Sequence, residues 1–93
     1  MNSLYYNMVK AIKFYADWCG PCKVYSRVWD KVKEELNGKV EFEECNVDED
    51  TSGLAAKYKV RSIPFTVIMK DGEAVNSQSG LINEKELKEL LIK

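Results

Sequence analysis

Histidine is absent from the chain, which removes imidazole acid–base catalysis, cysteine–histidine nucleophile pairs and mixed Cys/His zinc sites together. Cysteine is sparse: the three are Cys19, Cys22 and Cys45. An all-thiolate zinc site takes four, so no resident metal is expected. Long apolar runs are missing too; none approaches the roughly 18 residues needed to span a bilayer. The amino-terminal stretch MNSLYYNMVKAIKFYADW has its apolar character interrupted by Lys10 and Lys13, which argues against a secretory leader. A cytoplasmic address is the expectation, and structural disulfides are rare in that reducing compartment. Charge of one sign is also lacking. The net charge is −1, with Lys and Arg scattered among Asp and Glu, so nothing marks a nucleic-acid or membrane surface.

What is there fits one small globular domain over residues 1–93. Hydrophobic residues make up 45% and charged residues 31%, an ordinary balance for a folded domain. After a short lead-in over the first seven residues, Met8 to Ala16 alternates Ile12, Phe14 and Ala16 against Ala11, Lys13 and Tyr15 and reads as a strand. Pro21 suits the first turn of a helix. Val24, Tyr25, Val28, Val32 and Leu36 follow at helical spacing, and Asn37-Gly38 supplies the stop. Val40 to Val47 reads as a second strand with Val40, Phe42, Glu44 and Asn46 on one face. A short helix is expected over Ser52 to Tyr58, capped by Asp50 or Thr51. Phe65 to Lys70 is a third strand, Asp71-Gly72 a hairpin turn, and Glu73 to Gln78 a fourth strand. A last helix opens at Asn83 with Glu86 as its capping partner and Leu87, Leu90 and Leu91 as its buried stripe. The first crossover makes strands one and two parallel, and helices on both faces give an α/β sandwich.

The stretch Asp17-Trp18-Cys19-Gly20-Pro21-Cys22-Lys23 admits three readings: half of a zinc site, a structural staple, or a dithiol that cycles between redox states. Its place decides. Cys19 falls just before a helix and Cys22 in its first turn, where unpaired N–H groups and the helix dipole favour a thiolate. Cys19, nearer the loop and beside Trp18, is expected to be the exposed attacking sulfur, and Cys22 the resolving one. Pro21 restrains the turn so that the two can close a ring.

The segment FYADWCGPCK resembles the active-site stretch of the thioredoxin family, KYKVRSIPFTVIMKDGE its later segment, and SGLINEKELKELL its closing glycine and helix. The resemblance runs from about Val9 to Leu91. It implies a three-layer thioredoxin-like sandwich with strands in the order 2-1-3-4, the core that glutaredoxins share. The outer strand and helix at the amino end of full-length relatives are expected to be missing. It implies a cis Ile63-Pro64 bond facing the cysteines, with Trp18, Gly20 and Pro21 supporting the site. Trp18, Ile63, Pro64 and Gly80 would border a groove for an extended substrate chain. The implied activity is reduction of protein disulfides without metal or organic cofactor. Electrons would come from NADPH through a flavin-containing thioredoxin reductase, and the protein would act as a monomer.

Two positions depart from the family together. A buried acid is usual six residues before the first cysteine, where this chain has Lys13, and its lysine partner on the next strand is replaced by Glu44. An unpaired buried charge is expensive, so the expectation is a pair of reversed polarity beneath the active-site helix. The alternative is two solvated charges. Arg27 stands where many relatives have a helix-kinking proline, so a straighter helix is expected. Cys45 reads as a buried apolar residue, Trp29 as packing, and Glu41, Glu43, Asp48, Glu49 and Asp50 as solvated surface. Two functional rivals remain at this stage: a glutaredoxin-like enzyme recharged by glutathione, and a non-catalytic binding subunit whose dithiol is incidental.

Overall fold

A computed structural model describes residues 9–92. Seven regular elements follow one another: β1 (Val9–Tyr15), α1 (Gly20–Glu35), β2 (Val40–Asn46), α2 (Leu54–Lys57), β3 (Phe65–Lys70), β4 (Glu73–Ser79) and α3 (Glu84–Ile92), with a single tight helical turn at Val47–Glu49 before α2. The sheet order is β2-β1-β3-β4. β1 runs parallel to β2 and antiparallel to β3, and β3 runs antiparallel to β4. The expected lead-in and Met8 lie outside the described residues.

β1 is central, and both of its faces are covered. Ala11, Ile12, Lys13 and Phe14 are all buried, so the alternation in the sequence separates two interiors rather than inside from outside. On one side Ala11 joins Tyr25, Trp29 and Val32 of α1, Leu87 and Leu91 of α3, and Val40 and Ile68 of the sheet. On the other, Ile12, Phe14, Cys45 and Val67 pack beneath Leu54, Ala55 and Tyr58. Ion pairs from Lys31 to Glu84 at 3.5 Å and from Lys88 to Glu35 fasten α3 against α1.

Boundaries shift by one or two residues from expectation for local reasons. Val47 leaves β2 because Asn46 Oδ1 accepts the Asp48 N–H at 2.9 Å and starts the tight turn. α2 begins at Leu54, not Ser52, because Asp50 accepts the Leu54 and Ala55 N–H groups at 3.0 and 2.8 Å. Those bonds hold the Asp50 carboxyl below its ordinary range, Ala55 contributing most. The buried stripe of α1 is Cys22, Tyr25, Trp29 and Val32. Val24, expected inside, is 53% exposed, because at 100° per residue it points away from that stripe. At the hairpin, Asp71 and Gly72 take φ of 53° and 87°, the two positive values a mirror-image tight turn requires. Asn83 Oδ1 accepts the Glu86 N–H at 2.8 Å and caps α3.

Candidate active site

β1 ends against the loop that carries both cysteines to the mouth of α1. Cys19 is the cap residue: its backbone is extended, with φ −88° and ψ 110°, and its N–H donates to the Ala16 carbonyl at 3.2 Å. Its Sγ accepts the Cys22 N–H at 3.2 Å, the place a serine or aspartate oxygen takes in other helices. A sulfur carrying negative charge there satisfies an otherwise orphaned donor and meets the positive end of the helix dipole. The Cα atoms of Cys19 and Cys22 are 5.2 Å apart, and the two sulfurs are joined as a disulfide. In this oxidised form Cys19 is less exposed than the sequence suggested, packed with Cys22 and Ala16 and covered by Tyr15, Val47 and Ile63.

The Ile63-Pro64 bond is cis, and the Ile63 carbonyl oxygen lies 3.9 Å from Cys19 Sγ. The loop after β4 steadies this segment. Gly80 donates its N–H to the Pro64 carbonyl at 2.8 Å, and the Ser62 and Ser79 hydroxyls bond each other at 2.8 Å. Gly80 adopts φ 85°, a left-handed value that favours glycine. Trp18 lies open, 70% exposed, and its indole N–H donates to Asp48 Oδ2 at 2.7 Å. Asp48 is therefore a tether for the loop rather than one more solvated acid. Gly20 opens α1 with no atom within 4 Å of where a Cβ would stand.

Lys13 and Glu44 do not form the expected pair. They are register partners across β1 and β2, yet their side chains part. Lys13 Nζ donates to Ser26 Oγ at 3.0 Å. Glu44 Oε2 accepts from Trp29 Nε1 at 3.0 Å and pairs with Lys33 Nζ at 3.5 Å. Trp29 and Lys33 are four residues apart on α1 and present both donors on one face, so Glu44 is drawn outward while Lys13 stays in. Burial lowers the Lys13 pKa, with Glu44 and Asp30 opposing. Trp29 is thus more than packing, and Ser26 had no signal of its own in the sequence. Nearby, Tyr25 and Thr66 share a buried hydroxyl bond of 2.7 Å, and burial pushes Tyr25 up to about 12.

Cys45 is free and buried. Burial first, then the Asp50 carboxylate, pushes its thiol up to about 11, so it is a poor nucleophile. Among the described residues no group of three or more His, Cys, Asp and Glu side chains is arranged to hold a metal ion, and no helix is long and apolar enough to cross a membrane.

A cysteine pair spaced to close a disulfide across the first turn of a helix, facing a cis-proline loop at the end of a four-stranded mixed sheet, defines a thiol–disulfide oxidoreductase. The thioredoxin family model matches residues 4–93. Thioredoxin of Staphylococcus epidermidis is 41% identical over 85 residues, covering 91% of this chain and 81% of its own, and thioredoxin of Staphylococcus aureus is 39% identical over the same span. The X-ray structure of Fasciola hepatica thioredoxin superimposes with a TM-score of 0.81 at 34% identity, covering 96% of this chain and 83% of that one. A thioredoxin variant from Halobacterium salinarum gives 0.81 at 36% identity over 95% and 75%. The chain belongs to the thioredoxin family, and its activity is that of a thioredoxin-type disulfide reductase.

Proposed function

We propose that Cys19 is the attacking sulfur and Cys22 the resolving one. The Cys19 thiolate attacks one sulfur of a substrate disulfide, forming a mixed disulfide and expelling the other sulfur as thiolate. Cys22 thiolate then attacks Cys19 Sγ, the Cys19–substrate bond breaks, and the electron pair leaves on the substrate sulfur, which takes a proton from water. The chain is left as the Cys19–Cys22 disulfide, oxidised by two electrons, and needs no cofactor of its own. The observation that supports this order is the Cys19 Sγ acceptor contact at the helix mouth. Cys22 N–H and the helix dipole both favour charge on Cys19.

Trp18, Ile63, Pro64 and Gly80 border the groove for the substrate chain, an extended segment adding to the Ile63 backbone as a strand adds to a sheet edge. Electrons return from NADPH through a flavin-containing thioredoxin reductase, and the protein works as a cytoplasmic monomer on disulfide-containing proteins. The test measures reduction of a protein disulfide with three electron sources: dithiothreitol, glutathione alone, and thioredoxin reductase with NADPH. Turnover with the reductase and little with glutathione supports the reading; the reverse result makes this a glutathione-recharged enzyme.

A further inference from the structure

Lys13 is, among the described residues, the charged side chain the fold takes inside, at 3% exposure. A structural need at that point of β1 is met by an apolar group, as Ala11 meets it two residues earlier on the same face. The ammonium instead reaches the underside of α1. Nζ donates to Ser26 Oγ and stands 5.3 and 5.4 Å from the ring centroids of Tyr15 and Trp29, within the range where a ring face attracts a cation. Ser26 is four residues after Cys22 on α1, so the two side chains share a helix face one turn apart. Cys22, Ser26 and Lys13 therefore form a column running from the dithiol into the sheet.

The surroundings leave that charge aimed upward. From β2, Glu44 attracts it but is committed to Trp29 and Lys33. From α1, Asp30 attracts it and Lys33 repels it. From β1, Tyr15 offers a ring face. From β3, Thr66 is the register partner of Lys13, but its hydroxyl is taken by Tyr25. No carboxylate lies within 4.0 Å of Nζ among the ion pairs of the described residues.

We infer that Lys13, held by Ser26, is a positioning residue for the resolving step: its fixed positive charge, one helical turn below Cys22 on the sheet side of α1, draws Cys22 toward the thiolate. This rests on the assignment of Cys22 as the resolving sulfur. The Cys22 proton goes to solvent, Lys13 keeps its own throughout, and the bonds made and broken are those of the resolution step above. Lys13 acts through its field and never touches substrate.

The test titrates the Cys22 Cβ chemical shift in a Cys19→Ser background, with and without Lys13→Met. Removing the charge raises the Cys22 titration and lowers its thiolate fraction at neutral pH about tenfold, the lower end for an opposite charge close by. With Cys19 intact, substrate release from the mixed disulfide slows only about threefold, because a more basic thiolate is the better nucleophile. Ser26→Ala moves the titration the same way by less, and it decides the matter if Lys13→Met does not fold. An unchanged Cys22 titration in folded protein overturns the inference. The underlying assignment fails by a different result: a Cys22→Ser protein that releases substrate as fast as wild type.

Discussion

At the mouth of α1 the contacts of Cys19 Sγ and of Pro64 all use backbone groups. Cys19 Sγ meets the Cys22 N–H and faces the Ile63 carbonyl, and the Gly80 N–H holds Pro64. One turn deeper they run between side chains: Lys13 to Ser26, Trp29 to Glu44, Tyr25 to Thr66. The mouth is made of groups the backbone supplies to almost any sequence, so its geometry tolerates change while its chemistry depends on two sulfurs. The chamber below is made of particular side chains that must match one another. Its substitutions should therefore be felt in stability first and in the reaction second.

Breaking the mouth gives the largest effect on turnover. Cys22→Ser is expected to abolish multiple turnover and leave substrate bound through Cys19, seen as an adduct by mass spectrometry. With both proteins reduced, urea unfolding should differ by only about 1 kcal/mol. A stability loss several times larger would erase the contrast between the two regions.

Breaking the chamber should reverse that pattern. Trp29 is wholly buried and meets Phe42 edge-on at 5.3 Å. Trp29→Ala should cost about 3–5 kcal/mol in urea unfolding, while protein still folded in the cold keeps forming the Cys19–Cys22 disulfide. Lys13→Met should go the other way and stabilise at neutral pH, since burial penalises the ammonium and Glu44 keeps Trp29 and Lys33 when it is gone. The sign is fixed by the lowered Lys13 pKa. Below the folded pKa the charged form is penalised in the folded state only, so stability rises with pH through a window that ends at 10.5, the unfolded value. Urea midpoints measured against pH should show that rise in wild type and its loss in Lys13→Met.

The smallest effect sharpens the comparison at its edge. Asp48→Ala removes the acceptor for the exposed Trp18 indole, and the folding stability should move by no more than about 0.5 kcal/mol. The change should appear as a shift in Trp18 fluorescence and a higher KM for a protein disulfide, because the loop beside Cys19 loses its tether.

Much of this was readable from the residues. The strand alternation around Ile12 and Phe14, Asp71-Gly72 at the hairpin and Asn83 with Glu86 at the last helix each depend on neighbours a few positions away. So does the placing of Cys19 and Cys22 at a helix start. The cis Ile63-Pro64 bond and the sheet order came through resemblance. What failed was partner choice. Lys13 and Glu44 stand on neighbouring strands as expected but do not pair, because adjacency across a sheet does not say which way two long side chains turn. Val24 has helical spacing with the apolar residues yet lies off the buried stripe of Cys22, Tyr25, Trp29 and Val32. Asp48 reads as a surface acid in the sequence, yet it tethers Trp18, while Asp50 caps α2 as expected.

The sequence by itself settled where the chain is extended, where it coils, where it turns, and that two cysteines stand where a helix begins. These are matters of short range, fixed by side-chain period and backbone preference. Only the tertiary structure decided that a buried ammonium answers to Ser26 and that Glu44 answers to Trp29 and Lys33. Those partners are separated along the chain and compete for the same few atoms, and the winner is set by the close packing of α1 on the sheet.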